Sequence, residues 1–309
     1  MTGTVSSRVD SPTEGRNLAT VGIDELSTPD VLRLLVAEES TVSNAVAAAL
    51  PELARAVDMV VAALRAGGRV HVVGAGTSGR LAALDADELG PTYGLEPGRW
   101  TAHVAAFDGT ADGEDDAAEG DRVGALAGPG DVVVGVTASG RTPYAVAVLR
   151  AAAARGASTV LVSGNPGAVA GSGVDVHVAV HTGPEAVTGS TRLKAGTAQK
   201  MVLNVLSTAA MVRGGRTWSN LMVGAVATND KLRGRVAAAL AEATGEDPAT
   251  CAAALAATAG DGRVALLTLL SGAAPADARA VLADTDGHLR EALALLRKSE
   301  LRAASAGNM

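Results

Sequence analysis

The chain is 309 residues long, 48% hydrophobic and 19% charged, a composition that folds and that excludes a disordered tail or a collagen-like fibre; by length it is one large unit or two. Its 26 Lys and Arg against 33 Asp and Glu leave a net charge of −7, so no overall basic field exists to hold nucleic acid, while a small anion remains open as a ligand. The single cysteine, Cys251, forms no internal disulfide, residues 1–28 lack the basic and apolar regions of a secretory signal, and no apolar stretch reaches the roughly 18 residues that span a bilayer; the expectation is a cytoplasmic protein that meets no membrane.

In chain order, residues 1–28 are polar and punctuated by Pro12, Gly15 and Gly22, which reads as an extended, partly mobile N-terminal arm. Ser27 or Thr28 then caps a helix with Pro29 at its first position, and Leu32, Leu35 and Val36 form an apolar stripe that runs to about Ala48. Pro51 restarts the pattern, apolar residues recur at helical spacing from Leu53 to Leu64, and Gly67-Gly68 stops the run. Four Val-rich runs of buried-strand character follow: Val70 to Val73, Val132 to Val136, Thr159 to Val162 and Val174 to Val180, with a fifth strand open near Thr101 to Phe107. Ala-rich helical stretches such as Pro143 to Ala154 alternate with them, which predicts a three-layer α/β domain around a parallel sheet.

A long helix is expected from about Thr191 to Arg213, closed by Gly214-Gly215. Beyond about residue 240 only Ala/Leu-rich helical pieces remain, broken at Gly245, Pro248, Gly260, Pro275 and Gly287. The chain thus divides into an arm (1–28), an α/β domain (29–240) and a small all-helical C-terminal domain (241–309), with three helices as the expected count.

Two turns carry hydroxyls to the ends of strands. Val70 to Val73 leads through Gly74-Ala75-Gly76-Thr77-Ser78-Gly79-Arg80 into a helix expected to begin at Leu81. Backbone N–H groups, two hydroxyls and a helix N-terminus then surround one point, which suits a phosphate or carboxylate. The spacing is neither Gly-x-Gly-x-x-Gly nor a Walker loop, which weakens dinucleotide and nucleoside triphosphate readings. The plainer alternative is a tight turn with Ser78 as cap. The second turn, Thr137-Ala138-Ser139-Gly140-Arg141-Thr142-Pro143, follows the strand at Val132 to Val136. Ligands of open parallel sheets lie outside the carboxyl ends of the strands, so Ser78, Ser139 and Thr142 are expected to converge on one phosphoryl group.

Thr137 to Thr142 resembles the Ser-x-Ser-Gly-x-Thr phosphosugar loop of sugar isomerase (SIS) domains, with Thr137 in place of the first serine. The run Gly183-Pro184-Glu185-Ala186-Val187-Thr188-Gly189-Ser190-Thr191-Arg192-Leu193-Lys194-Ala195-Gly196-Thr197-Ala198-Gln199-Lys200 resembles the signature shared by N-acetylmuramic acid 6-phosphate etherases and the glucokinase regulatory protein. Thr13 to Asn17, Gly74 to Gly94 with Asp85-Ala86-Asp87-Glu88, and Asn220 to Val223 are closer to the etherases.

The resemblance implies an SIS fold with a UBA-like C-terminal domain, a phosphosugar substrate, no metal or organic cofactor, and release of D-lactate from N-acetylmuramic acid 6-phosphate by elimination and hydration, in amino-sugar catabolism and peptidoglycan recycling. It implies that Glu88 is the catalytic acid/base and Glu114 a second active-site carboxylate; the plainer alternatives are a charge at a helix end and a solvated acidic loop. It assigns substrate contact to Thr77, Ser78, Gly79, Thr137, Ser139, Gly140 and Thr142, and to Ser190, Thr191 and Lys194 at the start of the long helix. Were Ser78 to Glu88 one straight helix, about 15 Å would separate them. Either the helix ends early and the chain folds back at Gly90-Pro91, or the protein is a homodimer whose active sites are shared between subunits. The rival readings are a non-catalytic sugar-phosphate regulator and a phosphosugar isomerase.

His177 and His181 are four apart, which on a strand is roughly 13 Å and too far for a shared metal. Asp112, Glu114, Asp115 and Asp116 lack calcium-loop spacing, and Cys251 among alanines reads as a small buried hydrophobe.

Overall fold

The computed structural model describes residues 11–105, 113–169, 173–225 and 230–306; Phe107 and Asp112 lie outside them. The chain divides into two compact units, an α/β unit that runs through Ala86 and resumes over Trp100–Leu206, and a helical unit of Asp87–Arg99 with the chain from Ser207 onward. The helical unit thus starts well ahead of the change in texture near residue 240.

Five parallel strands build the α/β unit: β1 (Val70–Ala75), β2 (Trp100–Ala105), β3 (Val132–Thr137), β4 (Ser158–Ser163) and β5 (Val176–Ala179), in the order β2-β1-β3-β4-β5. Both faces of β1 and β3 are covered, which is why these strands read as unbroken apolar runs. The fifth strand near Thr101 is real and starts at Trp100.

The first apolar stripe forms two helices, α1 (Thr28–Glu39) and α2 (Val42–Ala48), with the break at Ser40–Thr41, and α3 (Leu50–Arg65) follows. Ser27 occupies the N-cap of α1, yet its hydroxyl bonds the Asp30 carboxylate and caps no N–H. After β1 come α4 (Gly76–Tyr93), α5 (Ala117–Gly124), α6 (Pro143–Ala154) and α7 (Lys194–Arg213).

From Ser11 onward the N-terminal segment is a packed element and no loose arm. Three 3-10 turns, Pro12–Glu14, Leu18–Thr20 and Ile23–Glu25, bury Thr13 and Thr20. Thr20 Oγ1 donates to the Ala186 carbonyl at 2.8 Å, and Asn17 Nδ2 donates to Glu38 at 2.8 Å. The buried side chains are polar, so hydrophobic patterning misses them.

Among the described residues, five further helices follow α7 in the helical unit: α8 (Asp230–Thr244), α9 (Pro248–Ala257), α10 (Gly262–Ser271), α11 (Pro275–Asp284) and α12 (Leu289–Ala306); four of them, α9 to α12, lie within 241–309, where three were expected. Asp247 and Asp261 cap α9 and α10 through their carboxylates. Val236, Leu240, Leu255, Val264, Leu267 and Leu289 form its core, with Cys251 fully buried among them as a small apolar group. No single helix among the described residues is long and apolar enough to cross a bilayer; α10 and α11 pass together on length and composition but bend by 112°.

Candidate active site

β1 runs into α4 without a loop: the strand ends at Ala75 and the helix starts at Gly76, whose φ of +55° makes the reversal, five residues earlier than expected. Gly79 serves this join. A Cβ on Gly79 would lie 2.5 Å from the Gly74 carbonyl oxygen and 2.6 Å from Val104, so glycine lets the helix close on the sheet. Thr77 and Ser78 are thereby fixed on the first turn of α4, with Arg80 donating to Thr77 Oγ1 at 3.4 Å.

At the end of β3, Gly140 has φ +70°, and a Cβ there would meet the Ala168 methyl at 2.2 Å. Both glycines shape the turns and neither lines the cavity described below. Thr142 stands at the N-cap of α6, but its hydroxyl makes no capping bond. It pairs instead with Thr137 Oγ1 at 2.7 Å and donates to Glu114 Oε1 at 3.3 Å. The Glu114 carbonyl in turn accepts the Tyr144 N–H at 3.1 Å. Helix α5, just after Glu114, lies against α6 through Gly120 and Gly124, where a Cβ would come within 2.5 Å of the Tyr144 and Val148 carbonyl oxygens. Close glycine packing thus sets Glu114 beside the hydroxyl turn.

The two turns open at the carboxyl ends of neighbouring strands. From β1 the next strand in sequence lies on one side, from β3 on the other, so the β1/β3 boundary is the switch point at which such sheets bind ligands. A cavity of about 530 Å³ sits there, lined by Thr77, Ser78, Thr137, Ser139, Thr142 and Glu114 among others. Glu14, Arg80, Arg141, Thr191 and Gln199 also line it. Sequence reasoning quoted Glu14 and Gln199 inside motifs without giving them a role, and gave none to Arg80 or Arg141. Gln199 is buried and accepts the Ser78 hydroxyl proton at 2.9 Å.

The signature run differs most from expectation. Helix α7 begins at Lys194, so Ser190 and Thr191 belong to the turn before it. Thr191 reaches the cavity; Ser190 and Lys194 are not among its lining residues. The anion position at the start of α7 is filled by the protein itself. Both oxygens of the fully buried Glu185 accept N–H groups, from Lys194 and from Ala195, each at 2.9 Å. Burial holds the Glu185 carboxyl above its ordinary range, and these two N–H groups offset only part of that rise. The Lys194 ammonium is 6% exposed and bonds Glu38 at 2.6 Å, so within the described structure its charge is met by a carboxylate of the protein.

Glu88 is an exposed residue within α4, grouped with the helical unit. α4 is unbroken to Tyr93 with Pro91 inside its last turn, so the chain does not fold back at Gly90-Pro91. His177 bonds Ser163 Oγ at 2.8 Å, and His181 lies beyond the end of β5.

The SIS domain family matches residues 37–164. The chain is 53% identical to the N-acetylmuramic acid 6-phosphate etherase of Thermobifida fusca over 268 residues, 85% of this chain and 88% of that one. It is 47% identical to the enzyme of the same name from Symbiobacterium thermophilum, covering 84% of this chain and 89% of that one. A third, from Rubrobacter xylanophilus, is 48% identical with the same coverage of the two chains, 84% and 89%.

Proposed function

The chain belongs to the N-acetylmuramic acid 6-phosphate etherase family and is a carbon–oxygen lyase; we propose that it releases D-lactate from N-acetylmuramic acid 6-phosphate by elimination and hydration, leaving N-acetylglucosamine 6-phosphate. The observation that carries this reading is the cavity at the β1/β3 boundary, where hydroxyls from two strand-to-helix turns meet the Glu114 carboxylate.

The 6-phosphate is held by Thr77, Ser78, Thr137, Ser139, Thr142 and Thr191, with the N-termini of α4 and α6 supplying N–H groups and positive dipole ends. Arg80 and Arg141 on the cavity wall add charge. With the sugar ring open, the C1 aldehyde acidifies the C2 proton. Glu88 removes it, the C3–O bond breaks, and lactate departs. Water then adds at C3, positioned or deprotonated by Glu114. An unactivated ether leaves poorly, so proton transfer to its oxygen is worth having; placed acid/base groups contribute about 10² to 10⁴ in rate. Neither step requires a metal or an organic cofactor.

In this reading the protein is a cytoplasmic homodimer, and Glu88 serves the phosphate loops of the other copy. The unbroken α4 supports this, because it removes the alternative of a chain reversal. So does the apolar surface at and before α1, where Leu18, Leu32 and Val36 are 57% to 81% exposed and no residue of the helix is buried. The reaction belongs to amino-sugar catabolism and the recycling of cell-wall fragments.

The test is turnover in ¹⁸O-water with mass spectrometry of both products. Label at sugar C3 and none in lactate is expected. Label in lactate overturns elimination, and binding of hexose phosphates without lactate release moves the protein to the regulator class.

A further inference from the structure

Glu88 lies on the part of α4 that groups with the helical unit, and one buried arginine fastens that end of the helix. Arg216, at 3% exposure, follows α7. Its Nη1 donates to the Gly94 carbonyl at 3.0 Å, and its Nη2 to Glu96 Oε2 at 3.1 Å and to the Asp286 carbonyl at 3.3 Å. Arg99 donates to Asp286 Oδ1 at 3.3 Å, so residues 94, 96 and 99 are all tied to the chain just beyond α7 and α11. Gly94 leaves the helix with φ +62°, and a Cβ there would stand 3.0 Å from the Arg263 guanidinium carbon. Gly224 approaches so closely that a Cβ on it would be 2.8 Å from the Tyr93 carbonyl oxygen, and the Tyr93 hydroxyl reaches Thr208 at 3.4 Å.

We propose that Arg216 is the positioning residue that holds the end of α4 and so aims Glu88. This rests on the assignment of Glu88 as the acid/base. Glu88 is five residues before Tyr93, about 7.5 Å along the helix axis. A helix end pinned at that distance can neither slide nor rotate freely, and misplacing a reacting group by about 1 Å costs on the order of a hundredfold in rate. A guanidinium suits the task because three acceptors surround it in a fan; an ammonium keeps the charge but not the fork.

The experiment uses the full chain with Arg216→Lys, Glu96→Gln and Glu88→Gln, following lactate release from normal substrate and from substrate deuterated at C2. Far-ultraviolet circular dichroism confirms folding, and amide exchange follows residues 88–94. For Arg216→Lys and Glu96→Gln, kcat falls roughly ten- to a hundredfold, KM stays within about twofold, the C2 isotope effect on kcat grows, and exchange rises at the end of α4 alone. Should Arg216→Lys not fold, Glu96→Gln carries the same test, because that carboxylate is 53% exposed. Folded variants with unchanged kcat and isotope effect, beside an inactive Glu88→Gln, overturn the positioning role. An active Glu88→Gln overturns the Glu88 assignment and the proposal with it.

Discussion

Lys194 and Glu38 are joined at 2.6 Å with side chains only 6% and 17% exposed, so the one lysine at the start of α7 is neutralised inside the protein. Removing a single partner from such a pair leaves a buried charge without its counterion, at a cost of about 3 kcal/mol or more. Lys194→Met is therefore expected to lower the urea midpoint strongly while the surviving folded fraction keeps its KM. Adding Glu38→Gln should recover part of the loss. A large KM increase with little change in stability would return Lys194 to the substrate.

Ser78 and Gln199 form the second coupled pair. The Ser78 proton rests on Gln199 Oε1, while Gln199 Nε2 is buried with no hydrogen-bond partner among the described residues. Turning the amide over reverses the bond: Nε2 donates to Ser78, whose proton is then released to a phosphate oxygen. Gln199→Leu should raise KM about tenfold, equivalent to roughly 1.4 kcal/mol, and Gln199→Glu should raise it further. In the Ser78→Ala background the Gln199→Leu change should add almost nothing. Full additivity in that double-mutant cycle would rule the relay out.

Acid sensitivity should trace to His71 on β1 and His103 on β2, whose ring nitrogens lie 3.0 Å apart. Burial first, and the His103 ring second, push His71 from 6.5 down to about 4, against a smaller upward pull from Asp131. The unfolded chain then binds the proton more readily than the folded one. The stability due to the neutral ring is full above about pH 6.5 and drains away as pH falls toward 4, by up to roughly 3 kcal/mol. Denaturation midpoints between pH 7.5 and 4.5 should show this slope, and His71→Gln should flatten it. An unchanged slope in the variant would assign the effect to other groups.

Shared active sites predict complementation. Glu88→Ala and Ser78→Ala proteins, each inactive alone, should regain part of the activity when mixed and allowed to exchange subunits, since one of the two sites in a heterodimer is then intact. Verified heterodimers without activity would place both groups in the same chain.

The strands were legible because a parallel sheet buried on both faces must be written as short Val-rich runs, and the hydroxyl-rich turns because Gly74 and Gly79 stand where only glycine lets backbones meet and Gly140 where a left-handed φ and the Ala168 methyl favour it. Three contacts were not legible, for one reason. The cap of α7 is Glu185, nine residues before Lys194; the partner of Lys194 is Glu38; and the segment from Ser11 is held by polar side chains on a distant carbonyl and a distant carboxylate. Each depends on a contact that local patterning does not encode.

The sequence by itself determined the α/β class and the hydroxyl-rich turns, since these follow from residue type and short-range spacing, and the resemblance of its motifs pointed to the family. Tertiary structure alone decided that Glu14, Gln199 and the two arginines share the cavity, that Lys194 pairs with Glu38, and that Glu88 groups with the helical unit. The physical reason is that charge compensation and close packing act between residues up to more than a hundred positions apart, as Ser78 and Gln199 do. Only the folded chain brings such partners within reach.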